Sequence, residues 1–296
     1  MPFLTHAGVS LRYDRVGAGP AVLLIHGWTF NRTVWERQVL ALRDRHTVIT
    51  VDLRGHGESS HPRTGYTISA MATDLEHLVR ALNVPQVVLV GWSMGGIVAL
   101  DLARRLGERV RGLALVCTTA GGLMAADNDL AVPEKEVEEM KAAMAADFRG
   151  FARQFATRLF KRGPESPFHA WAVDQTQKTP PQVALACMDA VFAIDFRPAL
   201  KTLDVPTAVI HGRHDAVFPP AHGEALKKGI KGATLTILED SGHTPFLEEP
   251  EAFNAALGSL LGGDDAGRER AAAPSKRAGR SAPSAPSGRG RPRTSR

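Results

Sequence analysis

The sequence is poor in cysteine and in the motifs that bind metals or nucleotides. Its 296 residues include only two cysteines, Cys117 and Cys187, which are too few for the disulfide framework of a small secreted protein. Cys117 ends an apolar run, where a buried, reduced thiol is expected. The eleven histidines are scattered, H-E-x-x-H and C-x-x-C motifs are absent, and Gly17-Ala18-Gly19 precedes a proline instead of opening a helix. We therefore predict neither a metal nor a cofactor.

Long apolar runs and a secretory leader are also missing. No stretch approaches the roughly 18 apolar residues of a membrane span. The N-terminus lacks a basic segment followed by an apolar one. These absences predict a cytoplasmic protein that does not associate with a membrane.

Positive charge is concentrated at the C-terminal end. The formal net charge is +5, and residues 263–296 hold nine Lys or Arg but only three acids, so the rest of the chain is close to neutral. Without large apolar side chains, this segment cannot bury enough surface to offset the entropy lost on ordering, and we predict a disordered basic tail. It has no aromatic residue for base stacking, so nucleic acid could bind only through the charge of the tail.

Short, continuous apolar runs recur along the chain and predict buried strands. They cover residues 21–25, 47–51, 87–90, 112–116, 207–210 and 234–238. Continuous rather than alternating apolar character is typical of parallel strands that are buried on both faces. Amphipathic helical patterns lie between the runs, as in the spacing from Ile68 to Leu82. The alternation predicts an α/β fold with a mostly parallel sheet flanked by helices.

The alternation stops between residues 121 and 197. Apolar residues recur there every three or four positions, from Val137 to Leu159, which predicts amphipathic helix. We interpret residues 121–197 as a helical cap, inserted into a core formed by residues 1–120 and 198–262. The cap phenylalanines Phe148, Phe151 and Phe155 are expected to line the substrate pocket together with Trp92.

The segment Gly91-Trp92-Ser93-Met94-Gly95 matches the G-x-S-x-G pattern of a nucleophile elbow. It follows a predicted strand and precedes a predicted helix, so the Ser93 hydroxyl is expected at a tight turn. A serine hydroxyl needs a base, and the base needs an orienting acid. The predicted base is His243 and the predicted acid is Asp215, because each follows a predicted strand. Asp240 is a weaker candidate, since it lies only three residues from the base.

An oxyanion hole would complete the chemistry. We expect its two donors to be the backbone N–H of Met94, directly after the serine, and that of Trp28, in the loop after the first buried strand. His26 is expected to order this loop rather than act as a second base. Asp52, Arg54 and His56 are likewise expected to stabilise a loop.

Five segments together resemble the motif series of the α/β-hydrolase superfamily, and the match covers about residues 1–262. They are His26-Gly27-Trp28, residues 52–59, Gly91-Trp92-Ser93-Met94-Gly95-Gly96, Gly212-Arg213-His214-Asp215 and Gly242-His243. The resemblance implies a cofactor-free serine hydrolase that cleaves carboxylic esters through an acyl-enzyme. Non-haem haloperoxidases or perhydrolases, enol-lactone hydrolases and meta-cleavage hydrolases share most of these motifs. Some family members instead act as ligand-binding receptors.

Within the superfamily, the chain is similar to capped carboxylesterases that include pimeloyl-carrier-protein methyl ester esterases. Arg149 and Arg153, four residues apart on a predicted cap helix, belong to this resemblance. They are interpreted either as a solvated helix face or as a patch for an acidic carrier protein. The predicted partners are therefore a small-molecule ester and, as a further possibility, an ester linked to an acyl-carrier protein.

Overall fold

A central eight-stranded sheet organises the chain in the computed structural model, which describes residues 2–262. The predicted basic tail lies outside the described residues. The strands are β1 (Phe3–His6), β2 (Val9–Val16), β3 (Ala21–Ile25), β4 (Thr47–Val51), β5 (Val87–Trp92), β6 (Val110–Val116), β7 (Thr207–Gly212) and β8 (Thr234–Leu238).

The strands lie in the order β1-β2-β4-β3-β5-β6-β7-β8. The first two are antiparallel to their neighbours, and β3 to β8 run parallel. The carboxyl ends of six strands therefore meet at one edge of the sheet, where sites in parallel α/β proteins are built.

Ten α-helices accompany the sheet within the described part of the chain. They are α1 (Glu36–Leu42), α2 (Ile68–Ala81), α3 (Met94–Leu106), α4 (Glu134–Ala146), α5 (Phe148–Arg158), α6 (His169–Lys178), α7 (Pro181–Ala193), α8 (Ala221–Gly229), α9 (Pro245–Glu248) and α10 (Pro250–Leu261). Buried residues of α2, α3 and α8 form one apolar layer, and those of α1 and α10 form another. Apolar burial against the sheet is the main stabilising term of such layers.

The predicted fold class is confirmed, and β3, β4 and β8 have the predicted bounds. Strands β1 and β2 are absent from the prediction because polar residues interrupt their apolar residues, and because β1 and the end of β2 are largely exposed. The last strand, β8, is an edge strand and only Leu238 within it is buried, so the expectation of burial on both faces is wrong there. Within residues 2–262, no helix is both long enough and apolar enough to cross a membrane.

Helices α4 to α7 all lie between β6 and β7, and we call the residues between these two strands the helical insertion. The apolar stripe predicted as one helical stretch is divided in two at Asp147, whose backbone is extended (φ −147°, ψ 84°). Its carboxylate accepts a hydrogen bond from the Gly150 N–H at 2.9 Å. This N-cap starts α5 as a separate helix, because the Gly150 N–H is bonded to the Asp147 side chain instead of to a carbonyl of α4.

Candidate active site

Four predicted site residues follow the carboxyl ends of parallel strands. Trp28 follows β3, Ser93 follows β5, Asp215 follows β7 and His243 follows β8. The strand order places β3, β5, β6, β7 and β8 side by side, so these loops share one edge of the sheet. Residues distant in sequence therefore converge through topology alone.

The turn at Ser93 is strained and tightly enclosed. Its backbone lies at φ 55° and ψ −123°, between β5 and α3. A Cβ at Gly91 would lie 2.3 Å from the Gly95 oxygen, and one at Gly95 would lie 2.3 Å from the His26 oxygen. Only glycine fits at these positions, because carbon and oxygen cannot approach so closely. The Thr118 hydroxyl donates a 2.6 Å hydrogen bond to the Ser93 carbonyl and holds the turn.

Asp215 and His243 form a buried acid–histidine pair. The His243 Nδ1–H donates to Asp215 Oδ2 at 2.8 Å, and both side chains are fully buried. Asp215 Oδ1 accepts from the N–H groups of Val217 and Phe218 at 2.8 and 2.9 Å. A proton on Nδ1 leaves the lone pair of the neutral imidazole on Nε2. That Nε2 is buried and has no hydrogen-bond partner among the described residues.

A second histidine contacts the same carboxylate, and sequence reasoning gave it no role. His211 Nε2 lies 2.7 Å from the Phe218 oxygen and 3.2 Å from Asp215 Oδ2, and it is the donor because both neighbours are acceptors. Burial alone would raise the pKa of Asp215, but His243 and the hydrogen bonds from His211 and His243 lower it well below its ordinary value. Asp215 is therefore ionised near neutral pH. Only the position of His211, four residues before Asp215, could have suggested this contact.

Two backbone donors are free beside Ser93. The N–H groups of Trp28 and Met94 make no hydrogen bond with any residue in the range 2–262. Both residues line the same cavity as Ser93. Free N–H groups at a helix start and in an adjoining loop are the arrangement that stabilises a developing oxyanion.

His26 shapes the loop that carries Trp28. Its Nδ1–H donates to the Gly27 oxygen at 2.8 Å, and its Nε2 accepts from the Leu53 N–H at 3.0 Å. Burial lowers the pKa of His26 to about 4, so the ring is neutral and its tautomer is fixed by these two contacts. Both ring nitrogens are occupied, which leaves none to act as a base.

Asp52, Arg54 and His56 lie outside the cavity that Ser93 lines. Asp52 accepts hydrogen bonds from the backbone and guanidinium of Arg32, each at 2.7 Å. Arg54 binds the Asp74 carboxylate through two 2.6 Å contacts. His56 Nδ1 lies 3.0 Å from the Arg54 oxygen. These contacts tie the loop after β4 to the segment after β3, which carries Arg32, and to α2, which carries Asp74.

A cavity of about 420 Å³ lies above Ser93. Its wall is mostly apolar and includes Phe151 and Phe155 of the insertion. The Phe155 ring stands edge-on to Trp28, with the ring centroids 4.8 Å apart. The Trp28 indole N–H donates to the Ala184 oxygen of α7 at 2.8 Å. The insertion therefore supplies one wall of the cavity and also contacts Trp28, in the loop after β3.

Two residues predicted for the pocket, Trp92 and Phe148, do not line this cavity. Trp92 directly precedes Ser93, but strand alternation places its indole in the apolar layer of α1 and α10. There its N–H donates to the His243 oxygen at 2.7 Å, so it stabilises the histidine loop from below. Phe148, the first residue of α5, packs against the opposite apolar layer.

The loop that carries His243 is hydrogen-bonded to the end of α5. The His243 N–H donates to the Leu159 oxygen at 2.8 Å. The Glu248 carboxylate accepts from the N–H groups of Lys161 and Gly242, each at 2.8 Å. Asp240 is exposed and pairs with the Lys161 ammonium instead of with His243. The geometry thus separates the two candidate acids, since only Asp215 contacts the imidazole.

Among residues 2–262, one cluster has the spacing of a metal site, and it coincides with the acid–histidine pair. Donor atoms of Cys117, Asp215 and His243 lie within 4.8 Å of one another. Burial, with the Asp215 charge nearby, raises the pKa of the Cys117 thiol well above its ordinary value. A protonated thiol is a poor metal ligand, and its sulfur accepts a hydrogen bond from the Gly212 N–H at 3.4 Å. The donor set therefore favours a hydrogen-bonded cluster.

Comparison with known proteins points to one family. A family model described as alpha/beta hydrolase fold matches residues 20–250. A pimeloyl-[acyl-carrier protein] methyl ester esterase of Neisseria meningitidis is 33% identical, covering 82% of this chain and 93% of that protein. A putative non-heme chloroperoxidase of Synechocystis is 32% identical and covers 88% of this chain and 100% of that protein. The solved esterase of Exiguobacterium antarcticum has a TM-score of 0.81 at 28% identity and covers 88% and 98% of the two chains.

Proposed function

The chain belongs to the alpha/beta hydrolase superfamily of enzymes, and we propose that it hydrolyses carboxylic esters through an acyl-enzyme formed on Ser93. The observation that carries the proposal is the buried 2.8 Å contact between His243 Nδ1 and Asp215 Oδ2, which leaves His243 Nε2 unprotonated and without a partner in the described chain. An unprotonated Nε2 is what general-base activation of a hydroxyl requires, and His243 follows a parallel strand at the same edge of the sheet as Ser93.

In the proposed reaction, Ser93 Oγ attacks the ester carbonyl while His243 Nε2 takes the hydroxyl proton. The ionised Asp215 carboxylate holds the imidazole tautomer and stabilises the imidazolium that forms. The carbonyl oxygen becomes an oxyanion, which the Trp28 and Met94 N–H groups receive. The imidazolium then protonates the leaving alcohol, and the C–O bond to that alcohol breaks.

Deacylation repeats these roles with water. His243 Nε2 takes a proton from the water, which attacks the acyl-serine carbonyl, and the same two N–H groups again stabilise the oxyanion. Collapse returns the proton to Ser93 Oγ and releases the acid. No group beyond those of the chain and water is needed to balance the step.

The apolar cavity wall supports an uncharged acyl or alcohol group as the substrate moiety bound beside Ser93. Lining residues such as Met140, Phe151 and Phe192 offer dispersion contacts and burial, and no ion pair. A carrier-linked ester is one candidate within this class, because the Neisseria relative is named for one, and Arg149 and Arg153 are exposed on α5.

The proposal is tested with a substrate panel. Aryl and alkyl esters with acyl chains of two to twelve carbons are assayed beside a lactone, a carrier-protein-linked methyl ester, and peroxide with halide. We expect ester hydrolysis with a pre-steady-state burst of aryl alcohol and a single fluorophosphonate adduct per chain. Halogenation without ester turnover would instead favour a haloperoxidase. Tight ligand binding without turnover of any ester would favour a receptor.

The cavity wall predicts how acyl length is selected. Phe155→Ala removes a ring that stands against Trp28 and opens the cavity, so we expect the preferred acyl chain to lengthen. kcat/KM for short esters should fall about tenfold, because one buried aromatic contact is lost. Phe148→Ala is the matched control, since Phe148 lies on the same helix outside the cavity wall. The assignment of this wall is contradicted if both variants shift the acyl-length profile equally.

A further inference from the structure

One buried polar side chain in the cavity wall has no part in the proposed reaction. His222, the second residue of α8, is 7% exposed and lines the same cavity as Ser93. The other charged or ionisable residues of this wall are Glu136 and Arg158, and both are exposed at its rim. His222 is therefore the one titratable side chain set into the apolar part of the wall.

The hydrogen bonds around His222 fix its tautomer. Its Nδ1 lies 3.1 Å from the Thr119 hydroxyl oxygen, which also accepts a hydrogen bond from the Gly121 N–H at 3.1 Å. Thr119 is only 2% exposed, and its hydroxyl proton has no acceptor other than His222 Nδ1 among the described residues. A buried hydroxyl proton needs an acceptor, so Thr119 donates to Nδ1. The ring proton of neutral His222 is then on Nε2.

Near neutral pH this ring carries no charge. Burial, together with the neighbouring His211, lowers the pKa of His222 to about 4. The Phe218 ring stands edge-on to the imidazole, with the centroids 5.3 Å apart, and limits its rotation. Nε2 has no hydrogen-bond partner among the described residues, although it is not sealed from the cavity. The result is a fixed, neutral N–H donor in an apolar wall.

We propose that His222 is a specificity residue that binds an uncharged carbonyl oxygen on the acyl chain of the substrate, away from the ester that is cleaved. A carbonyl accepts one hydrogen bond and brings no proton that the apolar wall would leave unpaired. A hydroxyl would bring such a proton, and a carboxylate would bring a charge for which the buried wall offers no cation. The inference rests on the proposed ester hydrolysis and names its substrate class: esters of oxo acids.

The test compares oxoacyl esters with plain alkyl esters of equal length. Aryl esters bearing a keto group at carbon 3, 4, 5 or 6 are each paired with the unsubstituted ester, and the ratio of the two kcat/KM values is measured. The ratio in the wild-type protein divided by the ratio in His222→Phe cancels the intrinsic reactivity of each ester. We expect this quotient to reach about ten at one keto position, as for one neutral hydrogen bond.

Two further variants separate the donor from the shape of the cavity. His222→Gln retains an N–H donor and is expected to keep most of the preference. Thr119→Val removes the hydroxyl that fixes the tautomer, so this variant should lose part of the preference for keto esters. It also provides a test if His222→Phe does not fold. Fluorophosphonate labelling of each variant verifies that the serine turn has formed.

The possible failures are distinguishable. Wild-type protein that hydrolyses the alkyl esters but shows a quotient near one at every keto position overturns the role of His222 alone. A preference that survives in both His222→Phe and Thr119→Val overturns it as well. Wild-type protein that hydrolyses neither series overturns the proposed function, and this inference with it.

Discussion

Ser93→Ala is expected to lower kcat for ester hydrolysis by about a million-fold, the largest effect that we predict for a single substitution. The acyl-enzyme cannot form without Ser93 Oγ, and the remaining groups could act only on a bound water. Folding should be unaffected, because Ser93 Oγ makes no hydrogen bond with a described residue. Alanine also adopts the backbone conformation at φ 55° at a cost similar to that of serine.

The measurement combines three readouts on the same preparations. Steady-state turnover of a short aryl ester gives the loss in kcat, mass spectrometry locates the fluorophosphonate adduct, and thermal unfolding reports the folded state. The wild-type adduct is expected on the peptide that contains Ser93 and is absent from the variant. Undiminished turnover, or an adduct on another serine, would show that the nucleophile is misassigned even though the turn has the shape of an elbow.

Much of the fold could be predicted because its signal is local. A strand buried on both faces needs a continuous apolar run, so β3 and β4 could be located to the residue from sequence alone. Strands β1 and β2 carry no such run, because polar residues interrupt both, and β1 lies at the edge of the sheet with most of its residues exposed. The break at Asp147 depends on one side chain capping one N–H, a competition that apolar periodicity does not record.

The candidate site divides in the same way. Residues at strand ends could be proposed from motif and chain order, and the structure brings Asp215 and His243 into contact. Glu248 and His222 could not be proposed, because each contacts a residue far away in the sequence. For His211, only the four-residue spacing to Asp215 pointed to a contact. Glu248, for example, binds the N–H of Lys161, 87 positions away. Such contacts arise only when the insertion lies over the sheet edge.

Trp92 shows a different limit. It is adjacent to Ser93 in sequence, which suggested a place in the pocket, but adjacent residues of a strand point to opposite faces. Its indole packs with Phe30 and Phe246 instead. Proximity along the chain therefore predicted the wrong side of the sheet, and the strand period of two would have indicated the right one.

Asp215→Asn is expected to lower kcat by about ten-thousand-fold while the protein remains folded, and the hydrogen bonds around the carboxylate explain why. The N–H groups of Val217 and Phe218 select an oxygen at the Oδ1 position, so the amide nitrogen must occupy the position of Oδ2. There it faces His243 Nδ1 as a donor and stabilises the tautomer with the proton on Nε2. The base then has no lone pair for the Ser93 hydroxyl. At the Oδ2 position the amide nitrogen also faces the Nε2–H of His211, and two donors that face each other are unfavourable.

The matched control is Asp240→Asn, three residues from His243. Among residues 2–262, the Asp240 side chain pairs with the Lys161 ammonium alone. Exposed ion pairs contribute little, so kcat should stay within about twofold of the wild-type value. Nitrogen-15 NMR of the imidazole supplies an independent readout, because the proton should move from Nδ1 to Nε2 in Asp215→Asn and stay in place in Asp240→Asn. A mild effect at Asp215 together with a severe effect at Asp240 would transfer the role of the acid to Asp240. If the proton stays on Nδ1 in Asp215→Asn although kcat falls strongly, then Asp215 acts through its charge on the imidazolium and not by fixing the tautomer.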